Sequence, residues 1–504
     1  MAHGEKLRAN GSGLAKSDLT ELKRRDVIKK AGKSDENDNI WEAGKLIGKY
    51  IESMGEIGMK IEMRKSRSMP YIWINDELRP LAAKALDRAM SYEVTTYGDS
   101  EPYTVRLFRG GKNGGYFFPI GLTDVAQTIL SQLGYETQFF AGQRPAKKFD
   151  FTWSGPELWP HQKRAVLEAK KELGRGLGCT LHIPTRGGKT TTALWLVKEL
   201  GGSTLVVVHT EELLKQWQGE IKQQLGVDAG YIRESTRNIK TITIAMVQTL
   251  EKAIKKGEKF DFNFLIVDET HHYSSKMFWF TVMRLNSFYR LALTATPRRE
   301  DGQDMKFIGA VGKLIHPVSI SELIERGVLV KPRFEFYPCE CVAGYERWGK
   351  AYEKGIVKNA KRNEMIRDLA TKHIKEGKQV YVHVVRISHG RILERLIEDS
   401  IFVSGRDTSE RREQVLRDFK EKKINCVIST LLGEGVDIPT MDVIINAASG
   451  KSWTTYVQRL GRVLTASEGK TEALVIDFED YGNRWLRDHA ARRREIVEEM
   501  FGGS

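Results

Sequence analysis

The stretch I-P-T-R-G-G-K-T occupies residues 183–190 and decides the fold of the region around it. Phosphate groups bind where backbone N–H groups converge in a loop that opens a helix, helped by a cation and a hydroxyl. Gly187 and Gly188 let the backbone approach the phosphates, and Lys189 and Thr190 supply the ammonium and the hydroxyl. The stretch therefore predicts a phosphate-binding loop. Its other candidate nucleotide contacts are Pro184, Thr185, Arg186 and Thr191.

A second motif, V-D-E-T-H, places Asp268 79 positions after the loop lysine (268 − 189). The apolar run Phe264–Val267 predicts a buried strand that delivers Asp268 and Glu269 to one place. Hydrolysis of a nucleoside triphosphate needs one carboxylate in the Mg²⁺ shell and another group to orient the attacking water. The two motifs together therefore predict ATP and Mg²⁺ as cofactors. Thr190 and Asp268 are the predicted metal-holding residues.

Composition limits the class of protein. The chain has 504 residues, which suits about three domains of ordinary size. Its 80 Lys and Arg exceed its 66 Asp and Glu, and the resulting charge of +14 suits a polyanionic partner. There is no apolar run of about 18 residues and no signal-peptide pattern at Met1, so we expect no membrane role and a cytoplasmic location in a prokaryotic or phage-infected cell.

The four cysteines form no C-x-x-C pair and no zinc spacing, so we expect reduced, buried thiols. They are Cys179, Cys339, Cys341 and Cys426.

The pattern along the chain divides it into four parts. Residues 1–38 are polar and basic and predict a flexible tail. Residues 39–148 combine short strands, Gly-rich turns and one amphipathic helix, which predicts a small α+β domain. From there on, near-continuous apolar strands alternate with helices, and this pattern predicts parallel sheets covered on both faces. The fold class is therefore α/β, with two tandem doubly wound domains at residues 149–328 and 329–504.

Further motifs surround the first two in a fixed order. Gln162 precedes a helix, and its amide can read the hydrogen-bonding edge of adenine. T-A-T at residues 294–296 follows the strand after the acid pair, and the second half holds S-T-L-L-G-E-G-V-D at 429–437 and Q-R-L-G-R at 458–462. Arg462 can reach the γ-phosphate across the cleft as a cationic finger. Gly435 and Asp437 are further candidate nucleotide contacts. Asp477-Phe-Glu479 is interpreted as a strand end rather than a nuclease site.

With these motifs, residues of about 155–480 resemble superfamily-two helicases of the DExH kind, and most closely the XPB group and UvsW-like phage recombination helicases. The XPB-like R-E-D triplet stands at Arg299, Glu300 and Asp301. The resemblance implies two RecA-like domains and a monomeric, ATP-dependent DNA helicase or translocase that moves 3′→5′ on forked or branched DNA in recombination, repair or replication restart. The catalytic residues that it implies are Lys189, Asp268, Glu269, His271, Gln458 and Arg462. The nucleic-acid contacts that it implies are Thr210, Gln248, Thr249 and Thr430.

Two positions depart from the family pattern. Arg186 replaces a small residue in the loop and could face solvent, phosphate or nucleic acid. Thr465 replaces a second arginine of the Q-x-x-G-R-x-x-R motif, so slower or altered hydrolysis is expected without its loss. This departure keeps open a nucleic-acid-binding scaffold with a weakened ATPase, beside the motor subunit of a restriction or defence system. RNA in place of DNA also stays open.

The sequence leaves two alternatives open for the N-terminal domain and two for Trp217. The small N-terminal domain either selects the DNA structure or stabilises the first motor domain by packing on it. For Trp217, packing in the core is favoured over a contact with nucleic acid.

Overall fold

The computed structural model describes residues 59–502, apart from 67, 77, 95–101, 113, 144, 235, 270–274, 296–303, 342–346, 432–440, 451–455, 457–459, 462 and 468. The expected flexible tail at residues 1–38 lies outside this range. Three main sheets take their strands from three successive stretches of the chain. Among the described residues, every helix is too short or too polar to cross a membrane.

The N-terminal domain is a mixed sheet with helices packed on it. Its sheet has the order β5-β6-β2-β1-β7, with β3 and β4 forming a separate hairpin pair. The strands are β1 (Met59–Lys65), β2 (Tyr71–Ile74), β3 (Ser91–Val94), β4 (Tyr103–Arg106), β5 (Arg109–Gly110), β6 (Tyr116–Pro119) and β7 (Tyr135–Phe140). The helices are α1 (Pro80–Ala89) and α2 (Thr123–Gln132), the latter preceded by a 3₁₀ turn at Ile120–Leu122.

This domain packs directly on the first motor domain. A side chain at Gly121 would clash with the backbone of Ile308 and Gly312, so the two backbones touch there. The Lys65 ammonium is surrounded by carbonyl oxygens of the motor domain, those of Gly176 at 3.3 Å, Ser287 at 3.4 Å and Phe288 at 3.3 Å. The expected alternative in which the domain packs on the motor is therefore observed.

The first motor domain is built on an eight-stranded sheet with the order β11-β10-β12-β9-β13-β14-β8-β15. Its strands are β8 (Gly178–His182), β9 (Thr204–Val208), β10 (Gly230–Arg233), β11 (Thr236–Asn238), β12 (Ile242–Met246), β13 (Phe264–Val267), β14 (Tyr289–Thr294) and β15 (Lys313–Ile315). Every pair in it is parallel except β10 with β11. The central strands are buried on both faces, which accounts for their apolar sequences.

Helices connect these strands. They are α3 (Pro160–Gly174), α4 (Lys189–Leu200), α5 (Glu211–Leu225), α6 (Val247–Lys255), α7 (Ser275–Val282), α8 (Asp304–Val311) and α9 (Ile320–Glu325). Because parallel strands end at one edge of a sheet, the loops after β8, β9, β12, β13 and β14 gather along that edge.

The second motor domain repeats this design with a six-stranded parallel sheet in the order β16-β21-β20-β17-β19-β18. Its strands are β16 (Lys331–Glu340), β17 (Val380–His383), β18 (Ser400–Val403), β19 (Cys426–Ser429), β20 (Val443–Asn446) and β21 (Glu472–Tyr481). Its helices are α10 (Trp348–Tyr352), α11 (Ala360–Lys375), α12 (Ile387–Leu396), α13 (Ser409–Lys420) and α14 (Arg484–Phe501), with a π-helical turn at Glu353–Val357. The α/β fold class is confirmed.

Residues 477–479 lie in the C-terminal half of β21, as the interpretation of a strand expected, but the strand is longer than predicted and continues to Tyr481. Two fully buried arginines hold the strand in place. Arg493 of α14 lies 3.0 Å from Asp477, and Arg362 of α11 lies 2.9 Å from Asp480. A buried carboxylate is tolerated where a hydrogen-bonded cation compensates it. Asp477 and Asp480 therefore fix two helices, α14 and α11, against the sheet.

Candidate nucleotide site and nucleic-acid interface

The phosphate loop leaves β8 and turns sharply before α4. The Gly187 N–H donates to the Pro184 carbonyl at 2.9 Å and closes the turn. Arg186 lies within this turn, is exposed, and has a φ of 69°, a region that favours glycine. The backbone thus takes the shape that the small residue of the family pattern would adopt without strain.

Two side chains of α3 hold the loop from behind. His161 Nε2 donates to the Gly187 carbonyl at 2.8 Å, and Gln162 Nε2 donates to the Gly188 carbonyl at 3.1 Å. Because the C=O and N–H of a trans peptide point in opposite directions, the N–H groups of Gly188 and Lys189 face away from α3. Any side chain at Gly188, whose φ is 81°, would collide with Gln162. The arrangement is that of an anion-binding loop.

The amide of Gln162, which was expected to read adenine, contacts the protein backbone in the structure. Its Oε1 accepts from the Trp159 N–H at 2.7 Å while its Nε2 holds Gly188, and the residue is buried. Reading of adenine by this amide stays a prediction, for which the second amide N–H and the second lone pair of Oε1 would be needed. His161 was missed from the sequence, although its place beside Gln162 in the W-P-H-Q stretch was a usable signal.

The acid pair lies at the end of β13, beside the loop. Lys189 Nζ is 3.1 Å from Glu269 Oε1, so the two motifs that are 79 residues apart meet in space (268 − 189). Asp268 is buried, and its Oδ1 accepts from the Glu269 N–H at 2.9 Å. Burial raises the pKa of the Asp268 carboxyl above its usual range, and the neighbouring Glu269 carboxylate raises it further. Glu269 has a φ of 46°, a strained backbone of the kind that often marks functional positions.

The residues at this site fit Mg²⁺ by their chemistry. Asp268 offers a carboxylate, and Thr190, in the first turn of α4, offers a hydroxyl. Mg²⁺ prefers such oxygen ligands and is usually held by one or two carboxylates together with water and substrate phosphates. Thr191 is turned elsewhere, because its hydroxyl accepts from Gln224 of α5 at 3.3 Å.

A histidine pair lies immediately before the loop. His182 Nδ1 is 2.7 Å from His316 Nδ1, and His182 Nε2 is 3.0 Å from the Ala295 carbonyl in the T-A-T stretch. Burial, followed by the adjacent His316 ring, lowers the pKa of His182 to about 4. A neutral His182 therefore donates to Ala295 and accepts from His316, which ties the loop strand to two neighbouring strand ends. No sequence signal linked residues 182 and 316.

The second motor domain touches the loop directly. A Cβ on Gly461 would lie 2.7 Å from Thr185 Cβ and 2.7 Å from Thr185 Oγ1, so no side chain fits at Gly461. Thr465 is buried, pairs with Leu329 in a β-bridge, and its hydroxyl lies 3.5 Å from the Gly461 carbonyl. Gly461, in the motif that carries the predicted arginine finger, therefore packs directly against the phosphate loop.

Several predicted residues lie outside the described part of the chain, and their roles stay predictions. They are His271, Arg299, Glu300, Asp301, Gly435, Asp437, Gln458 and Arg462.

The sequence of the chain is similar to those of known helicases. A family model described as "Type III restriction enzyme, res subunit" matches residues 156–299, and one described as "Helicase conserved C-terminal domain" matches residues 361–466. The chain is 28% identical over 383 residues to the DNA 3'-5' translocase XPB2 of Sulfurisphaera tokodaii, covering 67% of this chain and 85% of that protein. It is 25% identical over 404 residues to the ATP-dependent DNA helicase uvsW of Enterobacteria phage T4, covering 72% and 79%. The chain therefore carries the two domains of a superfamily-two helicase and is similar to helicases of the XPB/UvsW-like kind.

A solved structure supports the fold of the helicase. The "ATP-dependent Type ISP restriction-modification enzyme LlaBIII bound to DNA" matches with a TM-score of 0.50 at 16% identity, over 68% of this chain and 30% of that chain. The fold of two tandem RecA-like domains is therefore confirmed. ATP-dependent helicase activity is supported separately, by the two family models and the helicase relatives.

The predicted nucleic-acid residues of the helicase lie at strand ends. In the first motor domain, Gln248 Nε2 donates to the His209 carbonyl at 3.2 Å, which joins the loops after β9 and β12. Thr210 caps α5 by accepting from the Leu213 N–H at 3.2 Å, and Thr249 Oγ1 accepts from the Glu234 N–H at 3.2 Å. The structure brings Thr210, Gln248 and Thr249 to one edge of the sheet. Thr430 follows β19 of the other motor domain.

The helicase cysteines are all free and buried, as expected. Cys339, Cys341 and Asp480 lie close enough to hold a metal ion by distance alone. However, Asp480 is already bound by Arg362 at 2.9 Å and by the Ser449 hydroxyl at 2.6 Å. A guanidinium in contact with the carboxylate opposes a second cation, so the cluster is interpreted as structural.

Proposed function

We propose that the helicase uses ATP and Mg²⁺ to move 3′→5′ along DNA and to remodel forked or branched DNA, acting as a monomer. The similarity to the DNA 3'-5' translocase XPB2 supports the direction and the DNA substrate, and the similarity to the DNA helicase uvsW supports the DNA substrate. The observation that carries the ATP-dependent part is the 3.1 Å contact between Lys189 and Glu269, which unites loop and acid pair.

Each residue of this site has a separate task in the proposed cycle. Lys189 exchanges Glu269 for the phosphates of the nucleotide, which releases the carboxylate to orient a water molecule. Asp268 and Thr190 hold Mg²⁺, which neutralises charge on the phosphates when it is bound. Hydrolysis then depends on groups of this chain that position the nucleotide rather than on covalent chemistry.

Movement requires the two motor domains to change their relative position during the cycle. Thr185 of the loop contacts Gly461 of the second domain, and Arg462 is its next neighbour in sequence. A nucleotide in the cleft would therefore press on the element that carries the finger. Alternating grip by Thr210, Gln248 and Thr249 on one side and Thr430 on the other would then advance the protein along a strand.

The N-terminal domain offers a surface for the choice of DNA structure. A cleft of about 610 Å³ is lined by Arg106, Arg109, Phe108 and Tyr116, among others. The Tyr116 ring stacks on Phe108 with ring centres 5.0 Å apart, and both arginines are exposed. Guanidinium groups bind phosphates, and aromatic faces accept unpaired bases. This cleft is the part of the domain that we assign to the branch of the DNA.

The test compares two variants of the N-terminal domain, each of which lacks one positively charged side chain. Arg109→Ala should lower the affinity for forked DNA more than that for single-stranded DNA, because the cleft contacts the branch. Lys60→Ala removes an exposed charge on β1, outside the cleft, and should change neither preference. Both affinities are measured at one salt concentration, since phosphate contacts are strongly salt-dependent. Equal fork preference in parent and Arg109→Ala would overturn the assignment of the cleft.

A second candidate is the motor of a restriction or defence system. The restriction-subunit family model and the LlaBIII structure favour it. Such a motor would translocate on intact duplex without separating strands. Displacement of a labelled strand from a fork with a 3′ tail supports remodelling, whereas ATP-driven movement on duplex with no strand release supports the restriction motor.

A further inference from the structure

Trp217 makes a contact that its sequence position does not explain. It lies in the middle of α5, is 1% exposed and packs in the main hydrophobic core, as the favoured interpretation expected. Its indole Nε1–H also donates to Asp268 Oδ2 at 2.8 Å. The predicted packing of Trp217 in the core is therefore confirmed, and its contact with nucleic acid stays an untested alternative.

The contact fixes the orientation of the carboxylate. The main chain holds Asp268 through its own N–H, which donates to the Val207 carbonyl at 3.0 Å. Oδ1 accepts from the Glu269 N–H, and Oδ2 accepts from Trp217. Because each oxygen accepts at least one hydrogen bond, the carboxylate cannot rotate without breaking a bond. The indole bond also lowers the cost of keeping this buried group ionised.

The indole of Trp217 also has little conformational freedom. An indole has two rotatable side-chain bonds, and a fully buried one is held by its neighbours on all sides. Groups that bind metal-holding residues from outside orient them and tune their affinity, and their removal typically weakens metal binding about 10- to 100-fold.

We propose that Trp217 is a positioning residue that presents the Asp268 carboxylate to Mg²⁺. This proposal rests on the proposed role of Asp268. The helix α5, which is capped by the predicted nucleic-acid contact Thr210, thereby reaches the nucleotide site through one hydrogen bond.

The test measures metal binding rather than turnover. Trp217→Phe keeps an aromatic ring in the core and removes the donor. Binding of a fluorescent ADP analogue is followed during a titration with Mg²⁺ and, separately, in EDTA. The half-saturating Mg²⁺ concentration should rise about 10-fold or more in Trp217→Phe, while the affinity in EDTA stays at the parent value.

Two further variants separate the possible outcomes. Trp195→Phe alters a half-buried tryptophan on α4 that packs edge-on against Trp153, and it should leave the Mg²⁺ titration unchanged. Asp268→Asn should abolish the Mg²⁺ dependence. If Asp268→Asn behaves as the parent, the proposed role of Asp268 fails, and the inference fails with it. If Asp268→Asn loses the dependence while Trp217→Phe keeps the parent value, the inference alone is wrong. A fall in EDTA affinity equal to the fall with Mg²⁺ would also overturn it, because the residue would then only support the fold.

A further measurement does not need the Trp217→Phe variant, and it therefore tests the proposal even if that variant does not fold. In protein labelled with ¹⁵N-tryptophan, one indole N–H resonance should shift in Asp268→Asn and on addition of Mg²⁺ with ADP. If no indole resonance responds to either change, the hydrogen bond does not link Trp217 to the metal site.

Discussion

The Lys189 ammonium lies between two kinds of anion, the Glu269 carboxylate at 3.1 Å and the phosphates that the loop is shaped to bind. Both side chains are largely buried, so their charges are poorly screened by solvent. Removal of either charge would therefore strongly change the electrostatic energy of the other. This pairing explains why two motifs so far apart in sequence act as one unit.

Thr465 is the residue at which the structure changes the expectation most. Thr465 is buried and forms a β-bridge with Leu329, so a longer side chain at this position would have to displace packed neighbours. We expect Thr465→Arg to lower stability by about 1–3 kcal/mol through overpacking, with no gain in ATP turnover. Denaturant unfolding and ATPase rates check this, with Thr465→Val as the control of similar size. Faster turnover at unchanged stability would show that position 465 faces the nucleotide after all.

His389 predicts a pH dependence of stability. Its ring is fully buried, its Nε2 lies 2.9 Å from Asn363 Oδ1, and burial lowers the pKa of His389 to about 3. The unfolded chain takes up this proton near pH 6.5 and the folded chain only near pH 3, so stability falls as the pH drops below about 6.5. At pH 5 this effect amounts to about 2 kcal/mol.

His389→Gln tests that prediction, because an amide can donate to Asn363 without titrating. The drop in Tm between pH 7.5 and pH 5 should be smaller in the variant than in the parent. An identical drop in both proteins would mean that His389 is not held neutral in the fold.

At the residue scale, the sequence predicted what depends on local order and missed what depends on distant contacts. The loop glycines, Lys189 and the acid pair were predictable because their spacing follows from the chemistry of phosphates. The hydrogen bonds from Trp217 to Asp268 and from His182 to His316 were not, since they join residues 51 and 134 positions apart.

At the element scale, the contact between the N-terminal domain and the motor is a rigid one. The core of that domain includes Leu177 of the motor, and Met305 and Ile308 of α8 pack against it. Asp124 of α2 adds an ion pair with Arg175 at 2.9 Å. Removal of the domain would expose this apolar surface. Point substitutions therefore test its role better than truncation does.

Lys65 provides such a substitution. Burial lowers the pKa of Lys65 to about 7, and the nearby Arg290 adds to the fall. Lys65→Met should reduce the free energy of unfolding by about 1–3 kcal/mol, because the carbonyl groups around the ammonium lose their donor. Lys60→Met, on the exposed face of the same strand, should have little effect. Equal unfolding midpoints for the two variants would contradict the anchoring role of Lys65.

Apolar strands were the elements that the sequence predicted best. β13 was predicted with the observed bounds, because a short continuous apolar run inside a parallel sheet leaves few alternatives. β7 and β16 were missed, since their residues alternate in burial and include charged or polar side chains. The length of β21 depends on the buried partners Arg362 and Arg493, which a local pattern cannot reveal.

At the scale of the whole molecule, the two motor domains meet where the chemistry occurs. The contact between Thr185 and Gly461 makes the state of the loop depend on the position of the second domain. The N-terminal domain is fixed to the first motor domain, so it would travel with that half of the motor. The proposed substrate-selecting surface would therefore move together with the first of the two motor domains.

The most direct test of this account follows ATP hydrolysis and strand release together on forked DNA that carries a 3′ tail. The parent protein should hydrolyse ATP faster with the fork than without it, and should release the strand only while ATP is consumed. Glu269→Gln should bind ATP and the fork but release no strand, and Lys189→Ala should not turn over ATP. Strand release by Glu269→Gln, or an ATPase rate in either variant equal to that of the parent, would contradict the central claim.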